Sequence, residues 1–261
     1  MNRIERVFQT LKENNEKAFV PYIMAGDGGL DALPERITFL EKAGATAIEL
    51  GIPFSDPVAD GPVIQEAGNR ALKDGTSLRG VIQTIANIRP IVHIPIIIMT
   101  YMNPIMAYGI QNFILDAQQA GIDGLILPDL PIEEEEIIAP FAEKAGIEII
   151  RLVTLTSPLE RIQEISSRGK GFLYAVTVNG ITGARKGFND QLGEHLEKVK
   201  SVSRLPVLAG FGISEPAHVQ EMIQHCDGVI VGSKIIELLK QKDFSGIEGL
   251  INASKTVAVK S

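Results

Sequence analysis

Cysteine is almost missing from the chain. Cys226 is the sole one in 261 residues, which excludes an internal disulfide and fits a reducing compartment. Basic charge is also in deficit, with 25 Lys and Arg against 32 Asp and Glu and a formal charge of -7. Such a surface repels phosphate backbones and argues against nucleic acid as a partner. A local site for one small phosphate stays open, because backbone N–H groups need no net positive charge to bind an anion. No long apolar run is present. The most apolar stretch, IVHIPIIIM at 91–99, is too short to cross a bilayer. The first residues, MNRIERVFQTLKENNEKA, are amphipathic and charged without an apolar centre, so they read as an extra N-terminal helix rather than a signal peptide. The expectation is a cytoplasmic protein with no membrane contact. His93, His195, His218 and His225 show no metal-ligand spacing.

What the chain does have is a repeating pattern. Eight short apolar runs occur at 18–24, 45–51, 94–101, 123–129, 147–153, 171–177, 205–211 and 227–233. They are mostly apolar rather than alternating, as parallel strands covered on both faces should be. Segments with helical spacing lie between them, clearest at 33–44, 110–121, 132–146 and 215–226. Three of these close on Ala-Gly, a helix stop. Strand and helix alternate eight times without a linker, which predicts a single-domain (β/α)8 TIM barrel over 1–261. A doubly wound open sheet is the other fold in this class. Two gaps between strand starts are long, from 45 to 94 and from 171 to 205. They direct attention to the second and sixth strand-to-helix loops, since such loops form the active face of a barrel.

The second loop opens with ELGIPFSDPVADGP at 49–62. Side chains alternate along a strand, so bulky Ile48 and Leu50 should face the helices and Glu49 should point into the barrel near its C-terminal mouth. A carboxylate there is expensive unless it is paired or functional. The structural alternative is an internal ion pair, with Arg151 as the candidate partner. Pro53, Pro57 and Pro62 stiffen the loop that carries Asp56 and Asp60. Asp60 is either catalytic or a cap for the helix beginning near Pro62. The turns AGFGIS and VGSKII follow the seventh and eighth strands and lead toward helices. Gly212, Ile213, Gly232 and Ser233 are therefore candidate phosphate-binding residues. The sixth loop, 178–190, is rich in glycine and suits a lid. No lysine stands where a Schiff base would form, Lys170 preceding its strand and Lys186 lying in the loop. Cys226 falls at the opposite pole, as packing. The acidic run at 133–136 reads as a solvated first helical turn, and GDGGL at 26–30 as a turn.

Taken together, ELGIPFSDPVADGPVIQ, PYIMAGD, YMNPIMAYG, GLILPDLPIEE, YAVTVNGITGAR, LAGFGIS and GVIVGSKII resemble the α subunit of tryptophan synthase along nearly the whole chain. The resemblance implies a (β/α)8 barrel that is a lyase of tryptophan biosynthesis, cleaving indole-3-glycerol phosphate to indole and glyceraldehyde 3-phosphate. It implies no cofactor in this chain. It also implies a β-subunit partner holding pyridoxal phosphate, in an assembly of two α and two β chains. By resemblance, Glu49 and Asp60 are the catalytic carboxylates, and Gly183 joins Gly212, Gly232 and Ser233 at the phosphate. Tyr22, Ile64, Met99, Ile126, Tyr174 and Phe211 line the indole pocket, and Thr182 belongs to the lid. Asp56, Asn103 and the segment from Asp129 to Ile132 face the partner. Tyr22 and Val178 depart from residues common in the family. A non-catalytic phosphate-binding barrel is the alternative function, and it would have no use for Glu49.

Overall fold

A computed structural model describes residues 1–154, 156–176, 186–210 and 212–255, with the backbone alone for 186–191. Eight parallel strands close into a barrel in chain order. They are β1 (Ala18–Met24), β2 (Ile48–Gly51), β3 (Ile96–Met99), β4 (Gly124–Ile126), β5 (Glu148–Thr154), β6 (Leu173–Val176), β7 (Val207–Gly210) and β8 (Gly228–Val231). Closure is made by β1 with β8, where Ala18 pairs with Gly228 and Pro21 with Val231. All eight expected strands are present, most of them shorter than the apolar runs that announced them. The open-sheet alternative is excluded.

Alternation divides the apolar side chains between two cores. Ile48, Leu50, Ile96, Ile98, Leu125 and Val229 pack outward against the helices. Ala18, Val20, Ala47, Ile97, Ile126, Ile150, Phe172, Leu208 and Ile230 fill the barrel. The bottom of that inner core is sealed by the helix Arg3–Asn14, which supplies Ile4 and Phe8. Its start is fixed by a capping box, the Asn2 carboxamide accepting from Glu5 N–H at 2.8 Å while Asn2 N–H donates to the Glu5 carboxylate at 3.1 Å. Arg3 pairs with Asp123 at 2.8 Å and Asn2 donates to Glu148 at 2.6 Å, tying the helix to β4 and β5. The expected N-terminal helix is therefore a plug.

The glycine stops hold. Gly44, Gly121 and Gly146 all end helices in the left-handed region, at φ 96°, 76° and 71°, where other residues are strained. The continuous helix expected over 132–146 does not form. A 3₁₀ segment, Ile132–Ile137, is followed by a separate helix, Ala139–Ala145. Pro140 lacks an N–H and its ring clashes with the carbonyl four residues back, so one helix cannot run through it. The long gap after β2 holds more than a loop, because two helices, Pro62–Lys73 and Leu78–Ile88, precede β3. In the sixth unit the helix begins at Lys186 rather than beyond 190, so Lys186 is helical, and 178–185 of the expected lid lie outside the described residues. Among the described residues, no helix is long and apolar enough to cross a membrane.

Candidate active site

Glu49 lies on β2 beside Tyr22 of β1 and Ile97 of β3 in register. Its outward neighbours Ile48 and Leu50 belong to the helix-side core, so Glu49 points inward as the alternation requires. It is 1% exposed, and neither carboxylate oxygen has a hydrogen-bond partner among the described residues. Burial, reinforced by Asp60, raises its pKa from the ordinary 4.5 to about 8; a charge without water or donors is disfavoured. The ion-pair alternative fails. Arg151 lies on the helix side of β5, between Ile149 and Val153 of the outer core, and donates from Nε and Nη2 to Glu135 at 3.2 and 2.6 Å. This also corrects the reading of the acidic run. Glu133, Glu134 and Glu136 are exposed, whereas Glu135 is buried and paired. Composition hid that difference because a 3₁₀ turn, not an α-helical one, aims Glu135 at the barrel.

Asp60 follows the stiff second loop. Its Oδ1 is buried without a partner among the described residues. Burial raises its pKa to about 6, and a hydrogen bond from the Tyr101 hydroxyl pulls in the opposite direction. The helix-cap alternative fails as well, since Gly61 is the N-cap of Pro62–Lys73 and no side chain caps it. Tyr101 is a site residue that sequence reading missed. It is 3% exposed, accepts a hydrogen bond from Ala59 N–H at 3.0 Å and stacks at 5.3 Å on Phe54. It thus holds the loop just before Asp60. The signal was present in YMNP immediately after β3, but a tyrosine there reads equally well as core.

Tyr22, Ile64 and Met99 belong to one apolar cluster, in which Tyr22 lies in register with Glu49. Ile126 and Tyr174 belong to the adjoining inner core, which Met99 also touches. Gly232 and Ser233 open the helix Ser233–Gln241 after β8, so their backbone sits where an anion is favoured. After β7 the helix begins where the spacing over 215–226 places it. The chain runs on through Gly212 and Ile213, and its helix starts only at Pro216. Ile213 turns its side chain into the outer core, leaving backbone alone to meet a ligand. Thr182, Gly183, Val178 and Phe211 lie outside the described residues. A cavity of about 410 Å³ opens beside the site, lined by Ala59, Pro128, Asp129, Leu152 and Thr154 among others; Glu49 is not among its described lining residues. No group of three or more His, Cys, Asp or Glu side chains among the described residues could hold a metal ion. Cys226 is buried before β8, its thiol donating to the Met222 and Gly228 carbonyls at 3.1 Å.

Two buried acids at a barrel mouth narrow the field, and comparison with known proteins shows the family. Residues 8–259 match the family model described as tryptophan synthase alpha chain. The chain belongs to the tryptophan synthase alpha chain family. The tryptophan synthase alpha chain of Bacillus anthracis is 54% identical over 98% of this chain and 97% of its own length. That of a Bacillus cereus strain is 56% identical over 93% and 94%. Among solved structures, the alpha subunit from Legionella pneumophila superposes with a TM-score of 0.89 at 36% identity, covering 97% of this chain and 98% of that one. A ligand-free tryptophan synthase from M. tuberculosis gives 0.88 at 31% identity, covering 98% and 100%. Membership places this chain among the lyases of tryptophan biosynthesis, and its two buried carboxylates lie in a barrel of the family's own shape.

Proposed function

We propose that this chain cleaves indole-3-glycerol phosphate to indole and glyceraldehyde 3-phosphate, with Glu49 as proton donor and acceptor and Asp60 as the ionised partner of the ring N–H. The supporting observation is the isolation of Glu49, a buried carboxyl raised to about 8 with no partner for either oxygen among the described residues. A protonated Glu49 gives its proton to C3 of the indole, and the ring becomes an indolenine cation. Asp60, pKa about 6, is mostly ionised at neutral pH and faces that positive charge. The carboxylate left on Glu49 takes the proton of the hydroxyl on the carbon attached to C3. The C–C bond then breaks, its electron pair returns to the ring, and the hydroxyl carbon leaves as an aldehyde. Glu49 ends protonated as it began. Indole itself serves as the electron sink, so the protein need only move one proton twice, work of the kind worth roughly 10²–10⁴-fold per positioned group.

The phosphate is assigned to the backbone of Gly183, Gly212, Ile213, Gly232 and Ser233, and the ring to Tyr22, Ile64, Met99, Ile126, Tyr174 and Phe211. Thr182 is assigned to a lid over both. The partner is a β subunit carrying its own pyridoxal phosphate, in an assembly of two α and two β chains in the cytoplasm. Asp56, Asn103 and Asp129 lie exposed beyond β2, β3 and β4, with Val58 and Met106 at 84% and 60% exposure, and these are the surfaces assigned to it. The test is indole release from indole-3-glycerol phosphate, with and without a β subunit. The wild-type chain releases indole, faster with the partner. Glu49→Gln and Asp60→Asn each lose at least about 100-fold while still binding glyceraldehyde 3-phosphate. A near-normal rate in either variant rejects the role assigned to that residue.

A further inference from the structure

Tyr22 bridges two parts of the site that the proposed reaction treats separately. A Cβ built on Gly232, at the phosphate turn, would lie 3.6 Å from Tyr22 Cβ. A Cβ built on Gly51, two residues beyond Glu49 on the same face of β2, would lie 1.9 Å from the Tyr22 hydroxyl oxygen. The ring therefore spans the mouth from β8 to β2, its base at the phosphate turn and its hydroxyl at the carboxylates. Gly51, without a side chain, leaves the space that the hydroxyl fills. Tyr22 is only 3% exposed, and its hydroxyl makes no hydrogen bond to a described residue. A phenolic O–H can donate one hydrogen bond, and a ligand entering the mouth offers it an acceptor. The phenol remains a donor, because burial and the nearby Asp60 and Glu49 hold its pKa well above the usual tyrosine value.

A substrate with its phosphate at Gly232 and its ring at Asp60 must lay its three-carbon chain along this ring. We infer that the Tyr22 hydroxyl donates a hydrogen bond to the glycerol oxygen on the carbon attached to indole C3, making Tyr22 a positioning residue for the bond that breaks. This rests on the reaction proposed above. That oxygen gives its proton to Glu49 and becomes the aldehyde oxygen, so electron density gathers on it during cleavage and a donor there strengthens as the reaction proceeds. A phenylalanine would keep the packing and lose the donor.

The experiment compares Tyr22→Phe with the parent in two ways. In steady-state indole release, kcat/KM falls by between about 3- and 10-fold, the range of one neutral hydrogen bond, with KM rising about twofold and the rest of the loss in kcat. In a Glu49→Gln background, calorimetry measures binding of indole-3-glycerol phosphate and of indole-3-propanol phosphate, which has the same ring and phosphate but lacks both glycerol hydroxyls. Tyr22→Phe weakens the first at least about twofold and leaves the second unchanged. Equal weakening of both ligands would show that the ring acts through packing, and no change in either ligand or in kcat/KM would show no contact; each overturns the inference. If the wild-type chain releases no indole, the proposed reaction fails, and the two binding arms still decide whether the hydroxyl meets the glycerol oxygen.

Discussion

Replacing Glu49 by glutamine should abolish turnover and make the protein more stable, by an amount that grows with pH. In the folded chain Glu49 holds its proton up to about pH 8, whereas its ordinary value is 4.5. Between those values the native state binds one more proton than the unfolded state, so wild-type stability falls as pH rises. Each pH unit in that window costs about 1.4 kcal/mol. The loss is near zero at pH 4.5, reaches about 3 kcal/mol at pH 7 and levels off at about 5 kcal/mol above pH 8. Glutamine has the same shape, carries no charge in either state and stays neutral throughout. The variant should match wild type near pH 4.5 and exceed it by about 3 kcal/mol at pH 7. Urea unfolding of both proteins at pH 4.5, 6, 7 and 8.5 reads the difference directly, provided the urea m-value is unchanged. Asp60 is present in both proteins, so its own titration largely cancels. A difference that is flat with pH, or one that shrinks as pH rises, would refute the claim that Glu49 is buried as an unpaired acid.

The same two groups set the pH profile of cleavage. Activity requires Asp60 ionised and Glu49 protonated, so kcat/KM should rise through about pH 6 and fall through about pH 8; the acid limb should vanish in Asp60→Asn, measured against its own residual rate. Because the acids interact, the limbs belong to the pair rather than to either residue alone. Arg151→Ala strips the partner from Glu135, whose side chain is only 9% exposed, and should cost roughly 3 kcal/mol in urea unfolding, whereas a double change to well-packed apolar residues should recover most of it. Phe8→Ala removes a ring packed 5.5 Å from Phe172 in the barrel floor and should lower stability by roughly 3 kcal/mol, with kcat unaltered at temperatures where the variant stays folded.

The barrel was legible because its strands are covered on both faces. Runs such as IPIIIMTY leave little choice of structure, and β2 obeyed the alternation that turns Glu49 inward. Asp60 was also legible as a candidate, since three prolines around one acidic loop have little purpose in a simple turn. What the sequence could not show were side-chain meetings between elements distant along the chain. Arg151 and Glu135 are a pair because a 3₁₀ turn brings the helix-side faces of two segments together. Tyr101, beyond β3, reaches Ala59 in the loop after β2, and the base and tip of Tyr22 rest on Gly232 after β8 and Gly51 of β2. Periodicity reports which face a residue occupies and carries no information about which neighbour waits there. The interruption at Pro140 was visible in principle, because a proline inside a helical pattern is a physical stop; the apolar spacing on either side concealed it.

The plug formed by residues 3–14 has a bearing on biosynthesis. It is made before any of the eight strands, yet the ring it seals is completed only when Ala18 meets Gly228 of the eighth. Until the last strand emerges from the ribosome, both edges of the unfinished sheet and the underside of the floor stay open to solvent, the kind of exposure that invites aggregation. Ending synthesis before residue 228 should therefore yield a sticky fragment rather than a smaller working barrel.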